Sequence, residues 1–392
     1  MKRIFITCLL LFTSLYIGII PIRAEEKKVG ALRYEYKVID KKTCWITKIE
    51  ILNKEKAKVI RIPNTLDGKR VVKLGDDNDG NNVEIGVNIF DVERNDAGGY
   101  SFQDVYEKTK AVKEIILPDT LEEVTRNCFK WLPKLKKITI PSKLKTGVKY
   151  LCDTKWTSFQ VAKNNPYYKV SKGFLLSKSG KTVYGLTKKM KKAKIPDGVE
   201  KIGEAAFLHC KVDSIYLPQS INAIGYQAFR NDKKVVELSV SKKNKRYAMK
   251  GDCLYSKKSG RLVAAISRNN KLIIPNVVTK LKEGVSVIGK VPKGTSQTGS
   301  GFTDIVIPES VKRLETDWDR DFFITYVSKF ISAAEGHKGR YGCLYFKGTK
   351  PPKLEKHAML ADITVYVPAK AYDAYKKELK SEEYRLDLRK MK

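Results

Sequence analysis

The sequence predicts an α/β repeat solenoid, built from short parallel strands that stack layer on layer. Three observations lead to this fold class. A proline-anchored motif has a 22-residue period, weaker copies of it occur along the chain, and a longer block recurs after 79 residues. Because a solenoid has no single growing core, the 392 residues need not divide into the two or three globular domains that the length alone suggests.

The motif is clearest after Pro196 and Pro218, which lie 22 residues apart. Apolar residues, a glycine and a phenylalanine recur at the same offsets from both prolines. The matched pairs are Val199 and Ile221, Ile202 and Ile224, Gly203 and Gly225, Ala206 and Ala228, and Phe207 and Phe229. A fixed period in this range is typical of stacked-repeat proteins.

Each copy predicts a strand followed by an arc. Ile215 and Leu217 alternate with polar residues, which predicts a short strand that Pro218 ends because proline cannot donate to the ladder. Apolar residues spaced three apart in the next segment predict a helical or 3₁₀-like arc. We expect Gly225 to permit tight packing or a positive φ, and Phe229 to fill the space between layers.

Weaker copies extend the pattern toward both ends of the chain. They start at Pro118, Pro141, Pro275 and Pro308, and a more divergent copy starts at Pro63. One unit of this size buries too little apolar surface to fold alone, so each repeat must stack on its neighbours.

The shared pattern, L-x-x-I-x-I/L-P-x-x-V-x-x-I-G-x-x-A-F, resembles the bacterial surface leucine-rich repeats known as BspA-like, over residues 58–370. The resemblance implies a leucine-rich repeat solenoid with short parallel strands, inserted β-hairpins and terminal caps. It also implies a secreted or surface-displayed binding protein.

The 79-residue repeat marks two inserted hairpin units, 159–195 and 238–274, inside a solenoid expected over 108–317. Residues that recur 79 positions apart are Val161 and Val240, Asn165 and Asn244, Tyr168 and Tyr247, and Leu175 and Leu254. Each unit predicts a β-hairpin, one turning at Ser179-Gly180 and the other at Ser259-Gly260. These hairpins either form partner sites, as excursions from a scaffold often do, or only complete a layer.

Both ends depart from the repeat. Residues 1–24 combine a positive start with an uncharged apolar run, which predicts a secretory signal peptide; an uncleaved membrane anchor is the alternative. Residues 25–107 are expected to form an N-terminal cap with a first degenerate repeat, opening on a hairpin near Lys41-Lys42. Residues 318–392 are expected to form a degenerate repeat and a cap.

The chain is strongly basic, with a formal net charge of +34 at pH 7. Basic residues are spread along its length, with local runs such as Lys188-Lys189 and Lys242-Lys243. Such a surface attracts polyanions, although lysine can also serve only as a solvated surface residue. Arginine and aromatic residues do not interleave in a groove, so we expect no specific nucleic-acid readout.

Six cysteines follow the predicted leader: Cys44, Cys128, Cys152, Cys210, Cys253 and Cys343. An even count in a secreted chain suggests disulfides. Cys128, however, occupies the motif position that Ala206 and Ala228 occupy in other copies, which suggests a small buried apolar residue. No pairing is assigned, and the absence of a C-x-x-C pair argues against zinc.

The sequence gives no reason to expect an enzyme. The histidines His209, His337 and His357 are widely separated, and no nucleophile-elbow, metalloprotease or dinucleotide motif occurs. The acidic run near Asp76 lacks the spacing of an EF-hand, so a plain loop is expected. Catalytic, cofactor-binding and metal-binding residues are therefore expected to be none, and the binding residues stay unassigned. A site within 76–107 or 318–346 is the enzyme alternative.

These observations favour a secreted or surface-associated, non-enzymatic binding protein. We expect an adhesin that recognises a host or cell-surface protein through its repeat surface, acting as a monomer and without a cofactor. The alternative is a structural cell-wall or matrix component that its charge retains on an anionic cell-wall polymer or an acidic glycan. No transmembrane segment is expected after cleavage of the leader.

Overall fold

A computed structural model gives the structure of the protein. It describes residues 24–53, 57–75, 109–125, 128–129, 132, 134–151, 158–208, 210–231, 234, 236–268, 271–282, 284–289, 304–314, 343–354, 364–379 and 387–391. The predicted leader, apart from Ala24, lies outside these residues, and so does the acidic run near Asp76.

Short strands make up most of the described secondary structure. The first fifteen are β1 (Ala24–Val29), β2 (Leu32–Asp40), β3 (Thr43–Ile51), β4 (Val59–Arg61), β5 (Thr65–Leu66), β6 (Lys69–Leu74), β7 (Glu114–Ile116), β8 (Glu123–Val124), β9 (Lys137–Ile140), β10 (Ser158–Val161), β11 (Tyr168–Ser171), β12 (Phe174–Ser177), β13 (Thr182–Leu186), β14 (Lys192–Lys194) and β15 (Lys201–Ile202). The others are β16 (Ser214–Leu217), β17 (Ala223–Ile224), β18 (Glu237–Val240), β19 (Tyr247–Lys250), β20 (Cys253–Ser256), β21 (Leu262–Ile266), β22 (Lys271–Ile273), β23 (Lys280–Leu281), β24 (Ser286–Ile288), β25 (Asp304–Ile307), β26 (Arg313–Leu314), β27 (Cys343–Phe346), β28 (Lys353–Leu354), β29 (Thr364–Pro368) and β30 (Asp387–Met391). The helices are α1 (Val148–Leu151), the 3₁₀ helix η1 (Ala369–Ala371) and α2 (Tyr372–Glu378).

The N-terminal segment forms the predicted hairpin. Strands β2 and β3 pair antiparallel on either side of the turn at Lys41-Lys42, and β1 adds a third antiparallel strand. Tyr34 and Tyr36 point to the buried face of β2. Strand β3 then pairs in parallel with β6, which joins the hairpin to the first repeat.

The strand that precedes each motif proline pairs in parallel with its equivalent in the next repeat. Three ladders result: β4-β7-β9-β10, β14-β16-β18, and β22-β25-β27-β29-β30. In the middle ladder Ile215 lies in register with Ala193 on one side and Leu238 on the other. All three side chains are buried, whereas the alternate residues of these strands face solvent.

The arc after Pro196 and after Pro218 is not helical, which corrects the expected helical or 3₁₀-like segment in these two repeats. After Pro218 the chain makes one turn, closed by the Ile221 N–H donating to the Pro218 carbonyl, and then forms β17. Strand β17 pairs in parallel with β15 of the previous repeat. The backbone groups of the arc therefore hydrogen-bond to the neighbouring layer. Apolar residues spaced three apart are compatible with a turn followed by a strand as well as with a helix. These two repeats consist of strands and turns, without the helical part of the expected α/β repeat, whereas the copy at Pro141 continues into the short helix α1.

Gly225 serves close packing, and it is not among the residues with a positive φ. A Cβ built on Gly225 would lie 2.5 Å from the Glu204 nitrogen and 2.7 Å from the Gly203 carbonyl carbon. Above this contact the rings of Phe207 and Phe229 stack, with centroids 5.8 Å apart and an interplanar angle of 13°. Both rings are buried, so phenylalanine fills the space between layers as the motif predicts.

The inserted units widen a sheet. Each forms an antiparallel hairpin, β11-β12-β13 in the first and β19-β20-β21 in the second. The last strand of each hairpin pairs in parallel with a repeat strand, β13 with β15 and β21 with β24. The strands β10, β11, β12, β14 and β15 recur 79 residues later as β18, β19, β20, β22 and β23.

The C-terminal end is closed by η1 and α2. Tyr375 of α2 is buried and donates its hydroxyl to the Gly348 carbonyl at 3.0 Å. Its ring packs 5.3 Å from that of Phe346 in β27. Both helices lie within residues 318–392, the part of the chain for which a cap is expected.

Candidate binding surfaces

The solvent-facing side of the last parallel ladder carries a row of four aromatic or apolar side chains and one arginine, in register across five strands. We call it the C-terminal row; its members are Ile273, Val306, Tyr345, Tyr366 and Arg389. Ile273 is 64% exposed, the largest fraction among the exposed large hydrophobic residues that the structure describes. The row arises because successive side chains of a strand point to opposite faces of the sheet. The residues that precede four of its members point to the core: Leu272, Ile305, Leu344 and Val365.

The two tyrosines at the centre of the row stack on each other. Their ring centroids lie 4.8 Å apart, and the rings are nearly parallel at 7°. The Tyr345 hydroxyl donates to the Asp304 carboxylate at 3.2 Å. Partial burial raises the pKa of Tyr345 to about 12, and Cys343 and Asp304 add to the effect. The phenol therefore stays protonated at neutral pH and remains a hydrogen-bond donor.

An open hollow of about 560 Å³ adjoins the stacked tyrosines. Its lining consists of Tyr345, Lys347, Tyr366, Arg389, Lys390 and Met391. Three of these side chains are cationic and none is acidic. The Lys390 ammonium lies 5.1 Å from the centre of the Tyr372 ring, and Arg389 pairs with Asp387 at 2.7 Å. The end of the ladder thus offers aromatic surface bordered by positive charge.

The corresponding faces of the other two ladders have a different composition. On the first ladder one row reads Arg61, Ile116, Thr139 and Gln160. On the middle ladder one row reads Lys194, Tyr216 and Ser239. Val59 on the first ladder is 50% exposed, so its exposure is comparable with that of Ile273. Unlike Ile273, Val59 does not share its ladder with a pair of stacked tyrosines.

The inserted units form a second distinctive surface because their charge has one sign. Residues 159–195 contain ten lysines and neither aspartate nor glutamate. Residues 238–274 contain ten lysines and arginines and one acid, Asp252. Most of these cationic side chains are exposed.

The described cysteines are Cys44, Cys128, Cys210, Cys253 and Cys343, and all five are free thiols. Burial raises the pKa of the Cys128 thiol well above its ordinary value, and that of Cys210 to about 11. Both thiols therefore stay protonated at neutral pH. Cys152 lies outside the described residues, so a disulfide to it is untested.

The features that an enzyme would need fall largely outside the described residues. His209, His337 and His357 all lie there, as do the whole of 76–107 and all of 318–346 except 343–346. Within the described ranges, His, Cys, Asp and Glu side chains form no group of three or more that could hold a metal ion. In the same ranges no helix has the length and apolar character to cross a membrane.

Sequence reasoning missed the C-terminal row. Its signal was present in part, because CLYF and TVYV each place a tyrosine at the third position of a predicted strand. The alignment of Tyr345 with Tyr366, and of both with Ile273 far earlier in the chain, depends on strand register that the degenerate C-terminal repeats do not reveal.

The sequence matches the family described as BspA type leucine rich repeat region, in six copies over residues 100–171 and 177–259. No curated protein matches the chain. Among solved structures, a leucine rich cell surface protein from Faecalibacterium prausnitzii is similar, with 14% identity, a TM-score of 0.37, and coverage of 93% of this chain and 94% of that one. The pneumococcal vaccine antigen PcpA is 12% identical, with a TM-score of 0.33 and coverage of 94% and 99%. A leucine-rich repeat protein from Eubacterium ventriosum is 15% identical, with a TM-score of 0.33 and coverage of 90% and 83%.

Proposed function

We propose that this chain, of which residues 100–171 and 177–259 match BspA type leucine-rich repeats, is a non-enzymatic binding protein of the cell surface or its surroundings, with a protein as its main partner. Its specific role is that of an adhesin for a host or cell-surface protein. The repeats stack as a solenoid, and the outer face of the last parallel ladder is the binding face.

The C-terminal row is the observation that supports this choice of face. Protein interfaces are enriched in tyrosine and arginine at their energetic centres, with a polar rim around them. Here Tyr345, Tyr366 and Arg389 supply the residue types of an energetic centre. Lys347 and Lys390 supply the polar rim. Tyrosine also loses little rotamer entropy on binding, and the stacking of the two rings restrains them before a partner arrives.

The dimensions of the ladder show how large a share of an interface the row can supply. Five strands are about 19 Å across, and four residues along each strand add about 13 Å, which gives roughly 250 Å². A stable interface needs about 800 Å² on each partner. The row is therefore the anchor of a larger contact, which extends over the neighbouring ladder faces or the C-terminal helix.

A paired substitution tests this assignment. Ile273→Ser with Tyr366→Ser removes the exposed apolar anchor and one stacked ring, whereas Val59→Ser with Tyr216→Ser removes equivalent side chains from the other two ladders. Binding to a panel of immobilised extracellular matrix and host-surface proteins is measured by surface plasmon resonance. We expect the first variant to weaken the strongest interaction by at least about thirtyfold, as the loss of a hot spot does.

The control variant is expected to bind within about twofold of the original chain, since scattered exposed residues contribute little. Circular dichroism of both variants verifies that the fold is retained. Equal losses in the two variants, or no loss in either, would place the protein-binding face elsewhere.

A further inference from the structure

The positive charge of the chain is concentrated in the two inserted units, 159–195 and 238–274. Together they carry a net charge of +19, out of +34 for the chain, in 74 of its 392 residues. The 42 residues between them, 196–237, have a net charge of −1. The basic surface is thus two blocks separated by a nearly neutral spacer.

Exposed lysines in both units are available to a ligand. In the first unit Lys163, Lys172 and Lys188 are exposed, and within the described residues none of them forms an ion pair. The same holds for three exposed lysines of the second unit: Lys242, Lys243 and Lys245. Four acids of the spacer have cationic partners: Glu204 pairs with Lys149 and Asp213 with Lys234, while Glu200 and Glu237 pair with Lys181 and Arg268 of the two units.

Part of the basic surface repeats in three dimensions. The Lys178 ammonium donates to the Asn165 carbonyl at 2.9 Å, and 79 residues later the Lys257 ammonium donates to the Asn244 carbonyl at 2.6 Å. Each lysine is thereby fixed beside the turn that carries Lys163 in one unit and Lys242 in the other.

The second hairpin begins beside the sheet that the first hairpin extends. Strands β15 and β17 lie between them, and the Tyr247 hydroxyl at the start of the second hairpin donates to the Asn222 carbonyl just before β17. One extended polymer can therefore contact both units.

The side chains indicate what kind of polyanion fits. Seventeen of the twenty cations are lysines, which act as point charges and do not impose the bidentate geometry of arginine. Single-stranded nucleic acid also needs exposed aromatic rings on which bases stack. Tyr167 in the first unit is 44% exposed, but its counterpart in the second unit is Arg246, so no stacking platform repeats.

We infer that the two inserted units form a bipartite binding surface for a linear polyphosphodiester without bases, of the polyol phosphate class. The surface recognises regularly spaced negative charge and shares only Ile273, at the end of the second unit, with the C-terminal row. It would hold the protein on an anionic polymer while the ladder face remains free for a protein partner.

Three matched variants of the intact chain test this inference, each with three exposed lysines changed to glutamine. The unit-one variant changes Lys163, Lys172 and Lys188, and the unit-two variant changes Lys242, Lys243 and Lys245. The control changes Lys113, Lys136 and Lys143, which lie outside both units and are also exposed. Fluorescence anisotropy gives the Kd for labelled poly(glycerol phosphate) over a series of salt concentrations, and poly(dT) with the same number of phosphates is a second probe.

Each unit variant is expected to raise the Kd for poly(glycerol phosphate) about tenfold or more at low salt. It should also reduce the slope of log K against log salt by about 2, since each lost phosphate contact contributes about 0.7. The control should change the Kd less than about twofold, and poly(dT) should bind no more tightly than poly(glycerol phosphate). A control that weakens binding as much as the unit variants would show that diffuse charge is responsible and overturn the inference. Poly(dT) binding at least tenfold more tightly would replace the proposed ligand by nucleic acid.

Discussion

Replacing Asn165 by alanine should destabilise the first inserted unit severely. The side chain is fully buried and makes four hydrogen bonds. Its amide donates to the carbonyls of Pro141 at 2.7 Å and Leu144 at 3.3 Å. Its oxygen accepts the backbone N–H groups of Tyr167 and Tyr168, both at 2.8 Å. One asparagine thus joins a repeat turn to the turn that starts the hairpin.

The size of the effect follows from these contacts. Each hydrogen bond contributes about 1 kcal/mol net, and alanine leaves backbone donors and acceptors without partners in a site closed to water. The expected loss is about 4 kcal/mol. Asn165→Asp should be at least as damaging, because a carboxylate cannot donate to the two carbonyls.

Chemical denaturation followed by circular dichroism, together with limited proteolysis of the hairpin, measures this loss. Asn164→Ala is the matched control, because the neighbouring side chain is exposed. Asn244→Ala should reproduce the effect in the second unit, where the side chain makes the same four contacts. If Asn165→Ala shifts the midpoint no more than Asn164→Ala, the buried asparagine does not fix the unit and the reasoning is wrong.

Three further predictions concern packing, charge and thiols. Gly225→Ala should lower the free energy of unfolding by about 2 kcal/mol, because the new Cβ meets the backbone of Gly203 and Glu204. Asn222→Ala is the control: its side chain is exposed, and it should change the free energy of unfolding by less than about 0.5 kcal/mol, as thermal or chemical denaturation can measure. Arg268 holds Glu237 and Asp252, and its hydrogen bonds lower the pKa of Glu237. The stability from this contact is present above the ordinary carboxyl pKa of 4.5 and is lost as pH falls through the lower folded value. Arg268→Ala should therefore flatten the acid side of the plot of unfolding free energy against pH. At neutral pH it should lower that free energy by at most about 1 kcal/mol, because the ion pair is exposed. Lys258→Ala, which removes the same charge, should leave the pH dependence unchanged. Finally, Cys128 and Cys210 should resist iodoacetamide at pH 8 in the folded chain and react in denaturant, because burial keeps both thiols protonated; rapid labelling of the folded protein, detected by mass spectrometry, would contradict this.

The sequence was most informative where the repeat is regular. Alternation before Pro218 predicted strand β16, and the phenylalanine that follows predicted packing between layers, because each depends on local pattern. For Gly225 the pattern left tight packing and a positive φ open, and the structure shows the first. The 79-residue repeat likewise predicted both hairpins, since equal sequences occupy equal surroundings.

Other features depend on pairing between distant segments and could not be predicted. The arc after Pro218 became a strand because β15 of the previous repeat offers backbone partners, and no residue of the arc itself specifies that choice. The hairpins widen the sheet because β13 pairs with β15, and a projecting hairpin would have the same alternation. The C-terminal row aligns Ile273 with Tyr366 through the register of three intervening ladder contacts.

The retention of a protein partner at high salt tests the central claim most directly. The chain is captured on the partner that binds most tightly, and the complex is washed at about 0.1 M and then about 1 M salt, where the screening length falls from about 10 Å to about 3 Å. A shape-matched interface anchored by Ile273, Tyr345 and Tyr366 predicts that binding persists through the high-salt wash and is lost in the Ile273→Ser, Tyr366→Ser variant. Binding that disappears at high salt in the unmodified chain would mean that charge alone holds the partner, and would contradict the proposed protein-binding face.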